Sequence, residues 1–290
     1  METIHTVAWM KQVADEARRE ERGLGFVPTM GALHEGHFSL IRLAQAQCSP
    51  VVVSIFVNPK QFGPSEDFKK YPRPLETDRA ALTSCGVDYL FTPSPEEIYP
   101  AGFRTAVVVE GLSERMEGRQ RPGHFRGVTT VVLKLLEITR PRSAFFGRKD
   151  AQQARIVRQM VADLDLDVEI VVCPIVRESD GLALSSRNAY LSPSDRERAT
   201  VLYRSLERVR QDIAAGERDV ARLLVAARQV IDFEPAVALD YAEIVDADSW
   251  EPVLHLRKPC YMAIAARVGG TRLIDNALIE PAGESLTVTV

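Results

Sequence analysis

Residues 27–44 read VPTMGALHEGHFSLIRLA, and this stretch decides how the surrounding chain folds. An apolar run ends at Pro28, a turn carrying Gly31 follows, and a helical pattern begins near His34. The first turn of a helix presents backbone N–H groups and about half a positive charge, so a strand that feeds such a turn makes an anion site. Gly31 allows close backbone approach. His34 and His37 stand at i and i+3 on one face of the first turn, and Gly36 between them leaves room for a bulky ligand. HxGH after a strand therefore favours a nucleotide phosphate over two ordinary polar residues at a helix start. Zinc is disfavoured, because HEGH lacks the i, i+4 pair of the metalloprotease motif and no third ligand stands nearby.

Outward from this stretch, short β-branched runs recur at Leu24–Pro28, Val51–Val57, Val87–Thr92, Thr105–Val109, Ala144–Phe146 and Val168–Val176. Helical patterns separate several of them, as a parallel sheet with crossover helices requires. One helix opens the chain over Val7–Glu20; another carries Val128, Val131, Val132, Leu135 and Leu136 on one face and closes before Pro141. The turn formers Glu178–Gly181 (ESDG) interrupt the pattern, which predicts a boundary there. Residues 1–177 read as an α/β unit and residues 178–290 as a smaller α+β unit. The second holds charged helices over Ser194–Gly216 and Glu217–Phe233, then runs Leu239–Val245, Tyr261–Val268 and Thr271–Ile279 that suit an antiparallel set turned at Gly269–Gly270.

A chain of 290 residues, 46% hydrophobic and 26% charged, matches about two ordinary globular domains and excludes disordered or fibrous classes. The net charge of -4 supplies no positive field for a polyanion, so nucleic acid is not expected as a partner. No apolar run approaches a membrane span and the N-terminus lacks a signal-peptide core, so the expectation is a cytoplasmic protein. Cys48, Cys85, Cys173 and Cys260 are too far apart in sequence for a zinc pair or a dense disulfide frame and read as buried thiols.

Three further stretches carry candidate chemistry. In FFGRKDAQQ a buried strand stops at Gly147 and delivers Arg148, Lys149 and Asp150 to the sheet edge where open α/β sheets bind ligands. Lys149 suits phosphate, Asp150 suits ribose hydroxyls, and Gln153 follows on the same side of the next helix. LALSSRNAYL offers Ser185, Ser186 and Arg187 to a triphosphate, or forms a plain capped turn. SIFVNPKQF carries the neutral amides Asn58 and Gln61 out of a strand, which suits a substrate with hydroxyl and carbonyl groups. The basic loop GRQRPGHFRG, with Arg119, Arg121, His124 and Arg126, is either a further polyanion contact or a solvated loop.

Taken together, MGALHEGH, IFVNPKQF, RPGHFRGV, FFGRKDAQQ and DGLALSSRN, in that order and followed weakly by TRLIDN, resemble the pantothenate synthetases, the pantoate:beta-alanine ligases of coenzyme A biosynthesis. The resemblance covers nearly the whole chain. It implies a Rossmann-like domain of the HxGH nucleotidyltransferase type, and a second domain that closes over the active site. It implies ligation of pantoate to beta-alanine through a pantoyl adenylate, with ATP as substrate, Mg²⁺ as cofactor, release of AMP and pyrophosphate, and a homodimer. By the same resemblance His34, His37, Lys149 and Arg187 are catalytic. ATP is met by Met30, Gly31, His34, Gly36, His37, Gly147, Lys149, Asp150, Val176, Leu184, Ser185, Ser186 and Arg187, with Val176 at adenine. Gln61, Gln153, Met30 and Asn58 meet pantoate or beta-alanine, and the metal ligands stay unassigned. The chain departs from the family pattern at Lys60, Arg148 and Ala151. The alternative that HEGH leaves open is a nucleotidyltransferase passing AMP to a phosphate-bearing small molecule.

Overall fold

The computed structural model describes residues 1–64, 66–282 and 285–290. It comprises two units, Met1–Arg148 with Gln152–Pro174, and Lys149–Ala151 with Ile175–Val290. The first contains strands β1 (Glu2–Ile4), β2 (Gly25–Thr29), β3 (Val51–Ile55), β4 (Tyr89–Phe91), β5 (Ser143–Gly147) and β6 (Glu169–Cys173). Its helices are α1 (Val7–Ala17), α2 (Glu35–Gln47), α3 (Leu75–Ser84), α4 (Pro95–Ile98), α5 (Glu117–Gln120), α6 (His124–Thr139) and α7 (Ala151–Asp163). The sheet order is β1-β4-β3-β2-β5-β6, with every neighbouring pair parallel. Strands covered on both faces are apolar throughout, as Val51, Val52 and Val53 are. Leu40, Ile41 and Ala44 of α2 and Leu82 of α3 pack with Val27, Val53, Leu90 and Phe145 to fill one side.

The order of strands places the candidate site. From β2 the chain passes outward through β3 to β4 on one side, and returns to add β5 and β6 on the other. Adjacent β2 and β5 therefore lead their following segments in opposite directions, and such a switch point opens a crevice beyond the strands' carboxyl ends. MGALHEGH leaves β2 there and RKDAQQ leaves β5.

Two expectations need correction in this unit. Residues 105–109 form no strand; at their centre α6 hydroxyls take up the Val107 backbone instead: Thr129 Oγ1 donates to the Val107 carbonyl at 2.7 Å, and the Val107 N–H donates to Thr130 Oγ1 at 3.0 Å. Cys85 is only partly buried, whereas Cys48, Cys173 and Cys260 are buried; all four are free thiols. β1 is too short to stand out in sequence, and only its Ile4 is buried.

The second unit contains α8 (Pro193–Arg198), α9 (Val201–Ala214) and α10 (Val220–Asp232) with an antiparallel sheet β10-β9-β8-β7. Its strands are β7 (Val237–Asp246), β8 (Cys260–Val268), β9 (Thr271–Ala282) and β10 (Ser285–Thr289). Leu202, Leu206, Val209 and Ile213 of α9 recur at helical spacing and meet Ile244, Met262, Ile264 and Ile279 of the sheet. The single helix expected over 194–216 is broken at Thr200, whose Oγ1 donates to the Glu197 carbonyl at 2.7 Å, a local bond that competes with helix continuation. β10 was not anticipated; it is an edge strand whose exposure simply alternates. Among the described residues no helix is long and apolar enough to cross a membrane.

Candidate active site

The turn that leaves β2 is held by a residue that sequence reading missed. Asp78, buried on α3, accepts the Ala32 N–H at 2.8 Å on Oδ2 and the Leu33 N–H at 2.9 Å on Oδ1. Gly31 makes this turn possible with φ +83, and a Cβ there would stand 3.1 Å from Asp78 Oδ2. The available signal was Asp78 lying four residues before Leu82, on the stripe of α3 that faces the core. The carboxylate thus fixes the backbone that delivers the histidine pair.

His34 is the N-cap of α2, and His37 its third residue. Their rings lie 4.1 Å apart between centroids, tilted by 45°. The His34 N–H donates to His37 Nδ1 at 3.3 Å. Because Nδ1 accepts, the neutral His37 ring carries its proton on Nε2 and is a donor there. Gly36 sits between them on the first turn of α2, where anions are favoured.

The NPKQF segment forms a short 3-10 turn, Pro59–Gln61, capped by Asn58. Asn58 and Gln61 are both buried. Asn58 Nδ2 donates to Gln61 Oε1 and to the Gly127 carbonyl, each at 3.0 Å, and Gln61 Nε2 lies 3.1 Å from Met30 Sδ. Met30, Asn58 and Gln61, which were expected to share a ligand, are therefore neighbours. α6 approaches this turn so closely that Gly127 admits no side chain: a Cβ would stand 2.2 Å from the Lys60 carbonyl oxygen. The Lys60 side chain is exposed, with its ammonium 4.9 Å from the Tyr99 ring centre and 5.4 Å from that of Phe103.

Two members of the basic loop turn inward. Arg121 donates to both oxygens of Glu66, at 2.8 and 2.6 Å. Although burial pushes the Glu66 carboxyl up, the Arg121 bonds and charge outweigh it and hold the group below the usual carboxylate range. His124 is buried, with Nδ1 2.9 Å from the Gln61 carbonyl and Nε2 3.0 Å from Arg121 Nη1. A carbonyl only accepts and a guanidinium only donates, so the ring is neutral with its proton on Nδ1.

This histidine predicts an acid limb of stability. Burial, and then the Arg121 charge, lower its pKa from 6.5 to about 4. The unfolded chain protonates first as pH falls, so the contribution is complete above pH 6.5 and is lost progressively toward pH 4, on the order of 3 kcal/mol in total. Urea midpoints measured between pH 7 and 5 should fall for the parent chain and change less for His124→Gln. Parallel slopes would remove His124 from the account.

The remaining candidates lie at the end of β5 and in the second unit. Gly147 ends β5. Lys149 Nζ is 3.8 Å from Asp150 Oδ1, and Asn276 Nδ2 donates to the Lys149 carbonyl at 3.0 Å. Asn276 follows Asp275, whose buried carboxylate takes two bonds from Arg177 at 2.7 and 2.9 Å. The weak motif TRLIDN thus has a defined task that its spacing alone did not disclose. Ser185 Oγ accepts the Arg187 N–H at 3.3 Å as N-cap of the short helix Ser186–Tyr190, so the capped turn is present and the hydroxyl proton remains to donate. The Val176 carbonyl accepts the Leu184 N–H at 3.0 Å. Of the paired glutamines, Gln152 is buried and structural, donating to the Leu112 and Arg115 carbonyls at 2.9 Å each; Gln153 is only partly buried. Ala151 is buried as well.

Residues 2–278 match the family model for pantoate-beta-alanine ligase. The chain is 52% identical over 285 residues to the pantothenate synthetase of Koribacter versatilis, covering 98% of each chain. It is also similar to the crystal structure of pantothenate synthetase from Thermus thermophilus, with a TM-score of 0.90 and 48% identity over 95% of this chain and 98% of that one. The pantoate-beta-alanine ligase of Francisella tularensis, crystallised with beta-gamma ATP and beta-alanine, gives a TM-score of 0.77 and 37% identity over 95% and 97% of the two chains.

Proposed function

The chain belongs to the pantoate-beta-alanine ligase family, and from that premise we infer that it condenses pantoate with beta-alanine at the expense of ATP, through a pantoyl adenylate. The observation that carries this reading is the pairing of β2 with β5, which sends HEGH and RKDAQQ from adjacent strand ends at one switch point. Family membership sets aside AMP transfer to a phosphate-bearing acceptor.

The chemistry explains the residue types. A carboxylate is a poor acylating agent because oxide would have to leave. Attack of the pantoate carboxylate on the α-phosphorus of ATP expels pyrophosphate and forms a mixed anhydride. The amine of beta-alanine then attacks the activated carbonyl, expels AMP and loses its proton as the amide forms. The attacking carboxylate is already ionised, so the first step needs no strong base. It needs instead two anions held together against their repulsion, which preorganised donors do at least cost.

We assign the triphosphate to His34, Gly36, His37, Lys149, Ser185, Ser186 and Arg187, with Met30 and Gly31 at the turn. Ribose falls to Gly147 and Asp150, adenine to the backbone of Val176 with Leu184 a further ATP contact, and pantoate to Met30, Gln61 and Gln153; Asn58, which the resemblance put at the substrate, has its amide engaged by Gln61, Gly127, Lys60 and Tyr99 and supports Gln61 instead. The Nε2–H donor of His37 and the hydroxyl proton of Ser185 support this assignment. Mg²⁺ would enter with ATP, held chiefly by phosphate oxygens and water. A homodimer and a cytoplasmic location complete the proposal, the former checked by sedimentation velocity.

With pantoate, Mg²⁺, ATP and beta-alanine the expected products are pantothenate, AMP and pyrophosphate in equal amounts. Stoichiometric ADP and phosphate would end the adenylate reading.

A further inference from the structure

Asn58 and Gln61 are not equivalent donors and acceptors, and the polarity of Gln61, assigned to pantoate, is decided away from the ligand. The Gly127 carbonyl only accepts, so the Asn58 side chain must turn its NH₂ toward it at 3.0 Å. The Lys60 N–H only donates, so Asn58 Oδ1 must face it at 3.2 Å. With Asn58 so oriented, its NH₂ reaches Gln61 Oε1 at 3.0 Å, which fixes that end of the Gln61 amide as the oxygen. The NH₂ of Gln61 is left facing Met30 Sδ, a weak acceptor, at 3.1 Å. The last member of the chain is Tyr99, at the end of α4, whose hydroxyl donates to Asn58 Oδ1 at 2.8 Å.

We propose that Tyr99 is a positioning residue: by donating to Asn58 Oδ1 it holds the Asn58–Gln61 pair in the orientation that Gly127 and Lys60 dictate, so that Gln61 presents N–H donors to a substrate with an oxygen acceptor, carboxylate or hydroxyl, at that point. The proposal rests on the reading that Gln61 meets pantoate. The geometry around Tyr99 suits a lock. Its ring is held by Phe103 at 5.1 Å and Phe56 at 6.2 Å between centroids, with the Lys60 ammonium over its face at 4.9 Å. Burial pushes the Tyr99 phenol well above its ordinary range, so the hydroxyl keeps its proton throughout the neutral range. The Gln61 backbone is pinned independently, since its carbonyl accepts from His124 Nδ1 at 2.9 Å. The Asn58 side chain, whose polarity Gly127 and Lys60 set, thus gains from Tyr99 a further bond that holds it in place.

Tyr99→Phe keeps the ring contacts and deletes only the donor. The expected result is a KM for pantoate raised by about five- to tenfold, the scale of one hydrogen bond, with the KM for ATP and kcat close to those of the parent. Because Tyr99 acts through Gln61, the same substitution in a Gln61→Ala background should produce no further rise. Thermal melts of the four proteins confirm that each is folded. Additive effects, or equal rises in the KM values for pantoate and ATP, would overturn the lock while leaving Gln61 at pantoate. An unchanged KM for pantoate in Gln61→Ala itself would overturn the underlying assignment, and the lock with it. An unchanged KM in Tyr99→Phe beside a raised one in Gln61→Ala would show that Gly127 and Lys60 orient the pair unaided, which also rejects the proposal.

Discussion

His37→Ala and Lys149→Ala are each expected to slow formation of the adenylate by about 10²–10³-fold, the loss seen when one donor is removed from a preorganised anion site, while weakening ATP binding far less. Negative charge concentrates around the α-phosphate as the pantoate carboxylate closes on it, so these donors do more for the transition state than for bound ATP. Both proposed donors stand on ordered supports. The His37 ring is oriented by the His34 N–H, and the backbone beneath Lys149 is held by Asn276. Synthetic pantoyl adenylate bypasses the step. Both variants should therefore regain most of their activity when supplied with the adenylate and beta-alanine. Single-turnover rates of the two half-reactions check this, and equal impairment of both would mean that the residues shape the site as a whole.

Gly127→Ala should be nearly as damaging, although Gly127 is assigned no contact with any substrate. A methyl group there would lie 2.2 Å from the Lys60 carbonyl oxygen, 2.4 Å from its carbon and 2.6 Å from Gln61 Cα. All three are backbone atoms, so no side chain can swing aside; either α6 or the Pro59–Gln61 turn must move. Overpacking of this kind costs about 1–3 kcal/mol of stability. The larger effect is on the turn itself, which carries Gln61 and whose Asn58 donates to the Gly127 carbonyl. Misplacement of a positioning group by roughly 1 Å costs on the order of 10²-fold in rate, so kcat/KM for pantoate should fall on that scale. Steady-state kinetics beside a thermal melt separate the two effects. An alanine variant that melts lower but keeps parental pantoate kinetics would show that α6 yields and the turn does not.

Much of the fold could be read from residues. β2, β3, β5, β6 and the long helix α6 follow from apolar runs and 3.6-residue spacing, because elements buried on both faces or along one stripe leave their burial written in the sequence. The failures are local competitions that periodicity does not register. Residues 105–109 look like a strand, yet Thr129 and Thr130 take up the Val107 N–H and carbonyl that a neighbouring strand would have paired. Thr200 divides a helix whose pattern is continuous. The loop at Arg121 and His124 reads as a polyanion contact or a solvated basic loop, while in the fold it buries a neutral imidazole beside an ion pair with Glu66.

By itself the sequence determined the alternating α/β order and the second α+β unit, and it nominated the phosphate and amide groups, since these depend on residue type and on spacing along one element. Only the tertiary structure decided that β2 and β5 are neighbours, that Asp78 holds the turn before His34, and that Asn276 holds the backbone of Lys149. It also decided which end of the Gln61 amide carries the available donors. Each of these is a hydrogen bond or strand pairing between residues that are not neighbours in the chain, 46 positions apart for Asp78 and Ala32 and 127 for Asn276 and Lys149. Such bonds form because a buried donor or acceptor left without a partner is costly, and which partner is within reach is settled by packing, a property that no local stretch of sequence contains.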